Sequence, residues 1–396
     1  MILAAWDDLN ARLDVVAKVK SPSGDMAIGK ADESNICAHA NPSVVSKITS
    51  KLAVGDLMRA GLGPRTSGRK SRLTIDRSAQ FPLVLLGDLE TGRVAPIVHA
   101  QSKVGVHVKK LMVTTGNGMF GRALVDSLAG RADVEVNAMV RNLDAFDVHA
   151  DNVTAVRGDM DDPASLAAAV DGVTDVFLVS PMDEHIATRE INVIDAVVAT
   201  GADVRILKLH GAVEHRGDHL SQLHAASIAH LKESGLRWTL ICPNSVMETS
   251  FLGLNKAIQF GMIAGTSGHG KVGFVALENV ADATAQVVVD GGCVGESVML
   301  TGPAAVDMYQ VAADFSKVLG KEIPYNDMTE DDFANMVIEF GAFPDRETCE
   351  MQVLCHYRAW RRGDAALVSE DFERVTGRKA ESVLQWIEKH KEHFAG

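Results

Sequence analysis

From Lys109 onward the apolar and polar positions fall into a repeating order. Short, almost wholly apolar runs rich in β-branched residues cover Leu111–Thr115, Val134–Val140, Val153–Val156, Val176–Val179 and Val204–Leu209. Between them lie stretches of helical spacing: 120–129, 163–170, 184–200 and 220–233. In the first of these Phe120, Ala123, Leu124 and Leu128 share one face. Strands apolar on both faces, alternating with helices, predict right-handed β-α-β crossovers and a doubly wound parallel sheet, an α/β fold. Two more strands, Leu240–Cys242 and Val298–Leu300, extend it. After Thr301-Gly302-Pro303 the pattern turns mostly helical. Thr329 and Asp332 make a capping box ahead of Phe333, Met336 and Val337, and Val383, Leu384 and Ile387 line a last helix. The reading gives a sheet-bearing core over about 109–300 and a helical part over about 301–396.

Residues 1–108 carry a different pattern and are assigned as an N-terminal extension of unknown structure and function. Trp6, Leu9, Leu13 and Val16 fit one helical face, and Asn41-Pro42 opens a second helix with Val45, Ile48 and Leu52. The polar, basic stretch from Gly63 to Arg72 reads as a loop. Phe81–Leu86 and Val94–His99 pair as a hairpin around Gly87 and Gly92.

Charge sharpens that division. Residues 1–108 hold 14 basic and 10 acidic side chains, which leaves 25 and 42 of the totals of 39 and 52 for the remainder. An acidic body does not suit nucleic acid, whose affinity rests on phosphate contacts. No run reaches the roughly 18 apolar residues of a membrane span, and the first residues lack a signal-peptide pattern. The expectation is a cytoplasmic protein with reduced thiols, since Cys37, Cys242, Cys293, Cys349 and Cys355 show no paired spacing.

The chemistry concentrates in Val113-Thr114-Thr115-Gly116-Asn117-Gly118-Met119-Phe120-Gly121. A strand, a G-x-G-x-x-G turn and a helix in that order form a phosphate cradle. Glycine lets the backbone approach a pyrophosphate, and the helix N-terminus offers free N–H groups to it. The end of the second strand chooses the dinucleotide. An acid there holds a ribose 2′-hydroxyl, but this chain has Val140-Arg141-Asn142, with no acid before Asp144. The Arg141 guanidinium suits a 2′-phosphate, so the expected cofactor is NADP(H) rather than NAD(H).

At this point the sequence resembles the NmrA-like family of atypical short-chain dehydrogenases/reductases. The stretches that carry the likeness are Val113 to Gly121, Val140-Arg141-Asn142, Gly158-Asp159-Met160-Asp161-Asp162 and Val179-Ser180-Pro181. Further on come Ser234 to Thr239, Pro243 to Thr249, and Leu300-Thr301-Gly302-Pro303. Together they cover about 109–396. The resemblance implies an NAD(P)-binding Rossmann domain with a small helical part that closes over a small-molecule substrate. It also implies that Thr115, Gly116, Asn117, Gly118, Met119, Phe120 and Gly121 hold the pyrophosphate and Arg141 the 2′-phosphate. Asp159 and Met160 would flank the adenine, while Ser180, Pro181, His210, Gly211, Pro243 and Asn244 would lie towards the nicotinamide. Two departures stand out: Thr115 replaces the family's first glycine, and Cys242-Pro243 replaces its Arg-Pro.

The Tyr-x-x-x-Lys signature of ordinary short-chain dehydrogenases is absent, because none of Tyr309, Tyr325 and Tyr357 has Lys four residues on. The proton donor chosen instead is His224, on the helix after the fifth strand, where relatives carry Lys or His. Lys208 either reaches a phosphate or ends a strand in solvent. His215 and His219 have helical ligand spacing, but Gly217 interrupts the helix and no nearby cysteine supplies a third ligand, so no metal is expected. The resulting expectation is an NADPH-dependent oxidoreductase acting on a small electron-poor compound such as a quinone. Its alternative is a non-catalytic NADP(H)-binding redox sensor that acts through a regulatory protein partner. Whether the chain forms a homodimer stays open.

Overall fold

The computed structural model describes residues 108–395 apart from 214 and 216–218, together with four strands nearer the N-terminus. The chain divides into two units, Met1–Val106 and His107–Gly396. Within the first unit, β1 (Lys18–Lys20), β2 (Ser71–Thr74), β3 (Val84–Asp88) and β4 (Arg93–Ile97) form an antiparallel sheet in chain order. The β3–β4 pairing is the hairpin expected over Phe81–His99. Ser71 and Arg72, read as the end of a basic loop, belong instead to β2. The two N-terminal helices expected around Trp6–Val16 and Val45–Leu52 lie outside the described residues.

The second unit is built on a seven-stranded parallel sheet. Its strands are β5 (Lys109–Val113), β6 (Val134–Val140), β7 (Val153–Arg157), β8 (Asp175–Leu178), β9 (Arg205–Leu209), β10 (Arg237–Pro243) and β11 (Ser297–Leu300). The spatial order is β11-β10-β9-β8-β5-β6-β7, so the chain winds outward from β5 first one way and then the other. Helices α1 (Met119–Leu128), α2 (Pro163–Ala169), α3 (Ile186–Ala199), α4 (His219–Glu233) and α5 (Leu277–Asp290) supply the crossovers. Each follows from an apolar stripe that must be hidden: α1 buries Leu124, Val125 and Leu128, and α3 buries Ile186, Val193, Ile194 and Val197. Two cores result, one on each face of the sheet. Leu111, Val113, Leu124, Ile241 and Val288 pack on one side; Met112, Met139, Val176, Ile194 and Ile206 pack on the other.

The C-terminal part has its own core, rich in aromatic rings. Phe251 meets Phe274, Phe315 and Trp386 at ring separations of 4.8, 6.1 and 5.6 Å. Helix α6 (Met308–Leu319) and helix α9 (Val383–Lys389) bring Phe315 and Trp386 there, with α7 (Glu330–Glu339) and α8 (Cys355–Arg362) beside them. Thr329 caps α7 by accepting from Asp332 N–H, as the capping-box pattern predicts. Two tryptophan N–H groups stitch this part to the strand ends. Trp360 Nε1 donates to Ser245 at 2.9 Å, and Trp386 Nε1 donates to Glu248 at 2.8 Å. No helix among the described residues is long and apolar enough to cross a membrane.

A buried ion pair locks the opposite, amino edge of the sheet. Arg205 and Asp175 are both fully buried, with a 2.7 Å contact between neighbouring strands. Arg205 also donates to the carbonyls of Gly292 at 2.8 Å and Val287 at 3.1 Å, which satisfies the C-terminal end of α5. Asp175→Ala leaves that guanidinium short of its buried countercharge. The expected cost is about 3–5 kcal/mol, read from the midpoint of chemical denaturation; a midpoint unchanged within error would refute the role.

Candidate functional site

All the sequence-selected residues except His224 sit at or just beyond the carboxyl ends of the parallel strands. The ends of β5 and β8 lie where the winding reverses, the place where an open α/β sheet forms a crevice. Thr114 fastens this point: its hydroxyl donates to Val179 O at 2.6 Å and accepts from Val179 N–H at 3.0 Å.

The turn from Thr115 to Gly121 then brings α1 unusually close to β5. A Cβ on Gly121 would stand 2.0 Å from Thr115 O, which no side chain tolerates. One on Gly116 would stand 2.9 Å from Ala138 Cβ, so the glycine next to the family's usual position takes up the close approach to β6. Gly116 N–H donates to Met139 O, and Asn117 reaches Ala145 O across the mouth of the turn. Gly118 caps α1 without a side-chain hydrogen bond, and no acid lies in the first turn. The first amides of the helix are thus left to an anion, which is what a pyrophosphate requires. Met119 is exposed and Phe120 half-buried.

Arg141 follows the last residue of β6 and is exposed. No hydrogen bond or ion pair among the described residues engages its guanidinium. Asp159 opens the turn after β7, where its carboxylate accepts from Asp161 N–H at 3.0 Å. Met160 departs from its expected place beside an adenine. It is 4% exposed and packs with Met139 and Leu166 in the core, because the strand end turns its side chain inward.

Ser180 and Pro181 after β8, His210 and Gly211 after β9, and Pro243 at the end of β10 form a row along the crevice. Asn244 joins that row but is not available to a ligand. Its buried amide donates to Ala365 O at 2.9 Å and Leu367 O at 3.4 Å, and its oxygen accepts from Ser245 N–H at 2.7 Å. A buried amide must fill its bonds somewhere, and this one spends them tying β10 to the C-terminal part.

Behind the row lies a cluster that the sequence did not reveal. Lys208 is neither at a phosphate nor in solvent: it is fully buried, 2.9–3.0 Å from both carboxylate oxygens of Glu190. Its ammonium also donates to Leu209 O at 3.2 Å and contacts His224 Nδ1 at 3.3 Å. Glu190 accepts from Ser227 Oγ at 2.6 Å as well. All three hydrogens of the ammonium are therefore directed at acceptors, which leaves the His224 proton on Nε2. Burial pulls the Lys208 pKa down while Glu190 opposes that shift. The signal was present in α3: Glu190 occupies its apolar stripe with Ile186, Val193 and Ile194, a position an acid takes only with a partner.

Burial and the nearby Lys208 charge push His224 down to about 3 and His210 down to about 4, so both imidazoles are neutral near pH 7. The two rings meet edge to face at 5.1 Å, and His210 Nδ1 is buried without a hydrogen-bond partner. Cys242 is no redox thiol in waiting, since burial raises it to about 11.

Known proteins resemble this chain in sequence and in fold. Residues 116–290 match a protein family described as NAD(P)H-binding. The chain is 28% identical to quinone oxidoreductase 2 of Escherichia coli over 240 residues, covering 59% of this chain and 83% of that one. It is 24% identical to the NAD(P)H azoreductase of Xenophilus azovorans over 286 residues, 72% of this chain and 99% of that one. An NADPH-dependent quinone oxidoreductase from E. coli, solved in complex with NADPH, has the same fold. It superposes with a TM-score of 0.63 at 23% identity, covering 71% of this chain and 99% of that one. The match makes the dinucleotide site of the second unit an NAD(P)H site, and its first residue, Gly116, lies in the glycine turn.

The neutral histidines set an acid limit. The unfolded chain takes protons on them below the ordinary value of 6.5, which the native state declines until about 4 at His210 and about 3 at His224. Native stability is therefore complete above pH 6.5 and falls as the pH drops towards 4 to 3. Thermal melts between about pH 7.5 and 5 should show a falling Tm, with a shallower fall in His224→Asn. A Tm slope unchanged in that variant would count against a buried neutral imidazole.

Proposed function

We propose that this NmrA-like, NAD(P)H-dependent reductase uses NADPH and passes its reducing equivalents to a small, planar, electron-poor acceptor such as a quinone. The observation that carries this reading is the fully buried Lys208–Glu190 pair in contact with His224, just behind the row of strand ends. The bound dinucleotide supplies the hydride. Everything else falls to the chain: the first amides of α1 hold the pyrophosphate, Arg141 answers the 2′-phosphate, and His224 supplies the proton that a hydride-reduced oxygen needs.

The neutral state of His224 decides how that proton moves. An imidazolium with a pKa of about 3 is not populated near pH 7, so His224 gives up the hydrogen on Nε2 as a neutral ring. Lys208 then delivers its own proton to Nδ1 across the 3.3 Å contact, and the ring never bears a lasting charge or a lasting deficit. One hydride and one proton convert a quinone to a hydroquinone, which balances the step. Between turnovers a proton from solvent returns to Nε2 and the Nδ1 hydrogen passes back to Lys208, while Glu190 opposes the burial that pulls the Lys208 pKa down. In this reading the relay does the work of the missing Tyr-x-x-x-Lys pair.

Relatives named for quinone and azo-compound reduction support an acceptor that needs only modest acid assistance. Assays of NADPH and NADH oxidation against a panel of quinones test the reading. Arg141→Ala should raise KM for NADPH by about tenfold, equivalent to about 1.4 kcal/mol, while leaving KM for NADH nearly unchanged. His224→Phe should lower kcat by about 10²-fold, as should the charge-free double variant Lys208→Met with Glu190→Leu. Tight NADPH binding without turnover on any acceptor would overturn the reductase reading in favour of a dinucleotide sensor with a protein partner.

A further inference from the structure

A second cluster of reactive side chains meets away from the phosphate cradle. His215, on the segment after β9, places Nε2 2.8 Å from Nδ1 of His356, a residue 141 positions later on α8. The rings stand edge to face at 4.6 Å. Cys355 precedes His356 on the same helix, and the Sγ and the two ring nitrogens all lie within 4.8 Å of one another. The thiol is 3% exposed and donates to Met351 O at 3.1 Å. Three ligand atoms from two distant segments thus converge on a single point.

We propose that His215, Cys355 and His356 form a thiolate–imidazole site for Zn²⁺, with a fourth coordination position left for water or substrate. Tetrahedral zinc with Zn–N of about 2.0–2.1 Å and Zn–S of about 2.3 Å separates its ligand atoms by about 3.3–3.7 Å. The distances in the cluster bracket that range, so the ligands adjust by about an ångström or less. One sulfur and two ring nitrogens are the donor set that favours zinc over magnesium or calcium, which take oxygen.

Binding balances as follows. Zinc forms bonds to His215 Nε2, His356 Nδ1 and Cys355 Sγ; each ring keeps one hydrogen, on its other nitrogen. The hydrogen now shared between the rings moves by tautomerisation, and the thiol loses its proton to solvent. One proton is released per zinc. The bound ion would pin the segment carrying His215 to α8, and so hold the C-terminal part over the crevice. The site does not depend on the reductase reading.

Full-length, tag-free protein stripped with a chelator is titrated with Zn²⁺ and Co²⁺ in two buffers of different ionisation enthalpy. One equivalent should bind with release of about one proton, and Co²⁺ should develop a sulfur-to-cobalt charge-transfer band. Cys355→Ser should abolish that band, and His215→Gln should weaken binding by at least about tenfold. An NADPH titration on each sample reports that the variant is folded and keeps the two readings separable. Binding below one equivalent, or an unchanged band in Cys355→Ser, would overturn the proposal and leave an ordinary histidine–histidine hydrogen bond.

Discussion

The contact on which the second unit depends is the approach of helix α1 to the end of β5. A side chain at Gly121 would collide with Thr115 O at 2.0 Å, so only glycine lets the helix start where it does. That single absence of a Cβ aims the first amides of α1 into the crevice and sets the helix against the sheet. Thr114, bonded twice to Val179, then holds β5 and β8 together at the reversal of strand order. With those two points fixed, every later strand presents its carboxyl end on the same edge, and the site follows from topology.

Two buried ion pairs sit at opposite edges of this sheet and do different work. Arg205 and Asp175, at the amino edge, spend the remaining guanidinium donors on the carbonyls that end α5. All of their hydrogen bonds are internal and static, which is the behaviour of a structural lock. Lys208 and Glu190, near the carboxyl edge, instead place the ammonium 3.3 Å from the Nδ1 of a neutral histidine. A charge buried at such cost, and set against a neutral imidazole behind the crevice, fits the proton-transfer role proposed for His224.

The C-terminal part is fastened to the strand ends by polar bonds from residues that its sequence places in one short stretch. Asn244, Ser245 and Glu248 reach Ala365, Trp360 and Trp386 in turn. Its aromatic core supplies the burial, and these bonds fix the orientation. The cost is that Asn244, which lies in the row facing the crevice, has no donor left for a ligand.

Much of this protein is legible in its sequence because the physics involved is local. Strand periodicity, the glycine turn and the missing acid after β6 each act over a few residues, so the α/β alternation, the phosphate cradle and the place of Arg141 can be read directly. The capping of α7 by Thr329 is of the same kind. Side-chain direction and distant partners are another matter. Met160 turns into the core and Asn244 into a tie because burial depends on what packs above a strand end. Lys208 finds Glu190 on a helix 18 positions earlier, and His215 finds His356 on one 141 positions later. Local sequence determined the elements and the cradle because hydrogen bonding and hydrophobic periodicity repeat over a turn or a pleat. The tertiary structure alone decided which charges meet, because that is settled by long-range packing that no local pattern records.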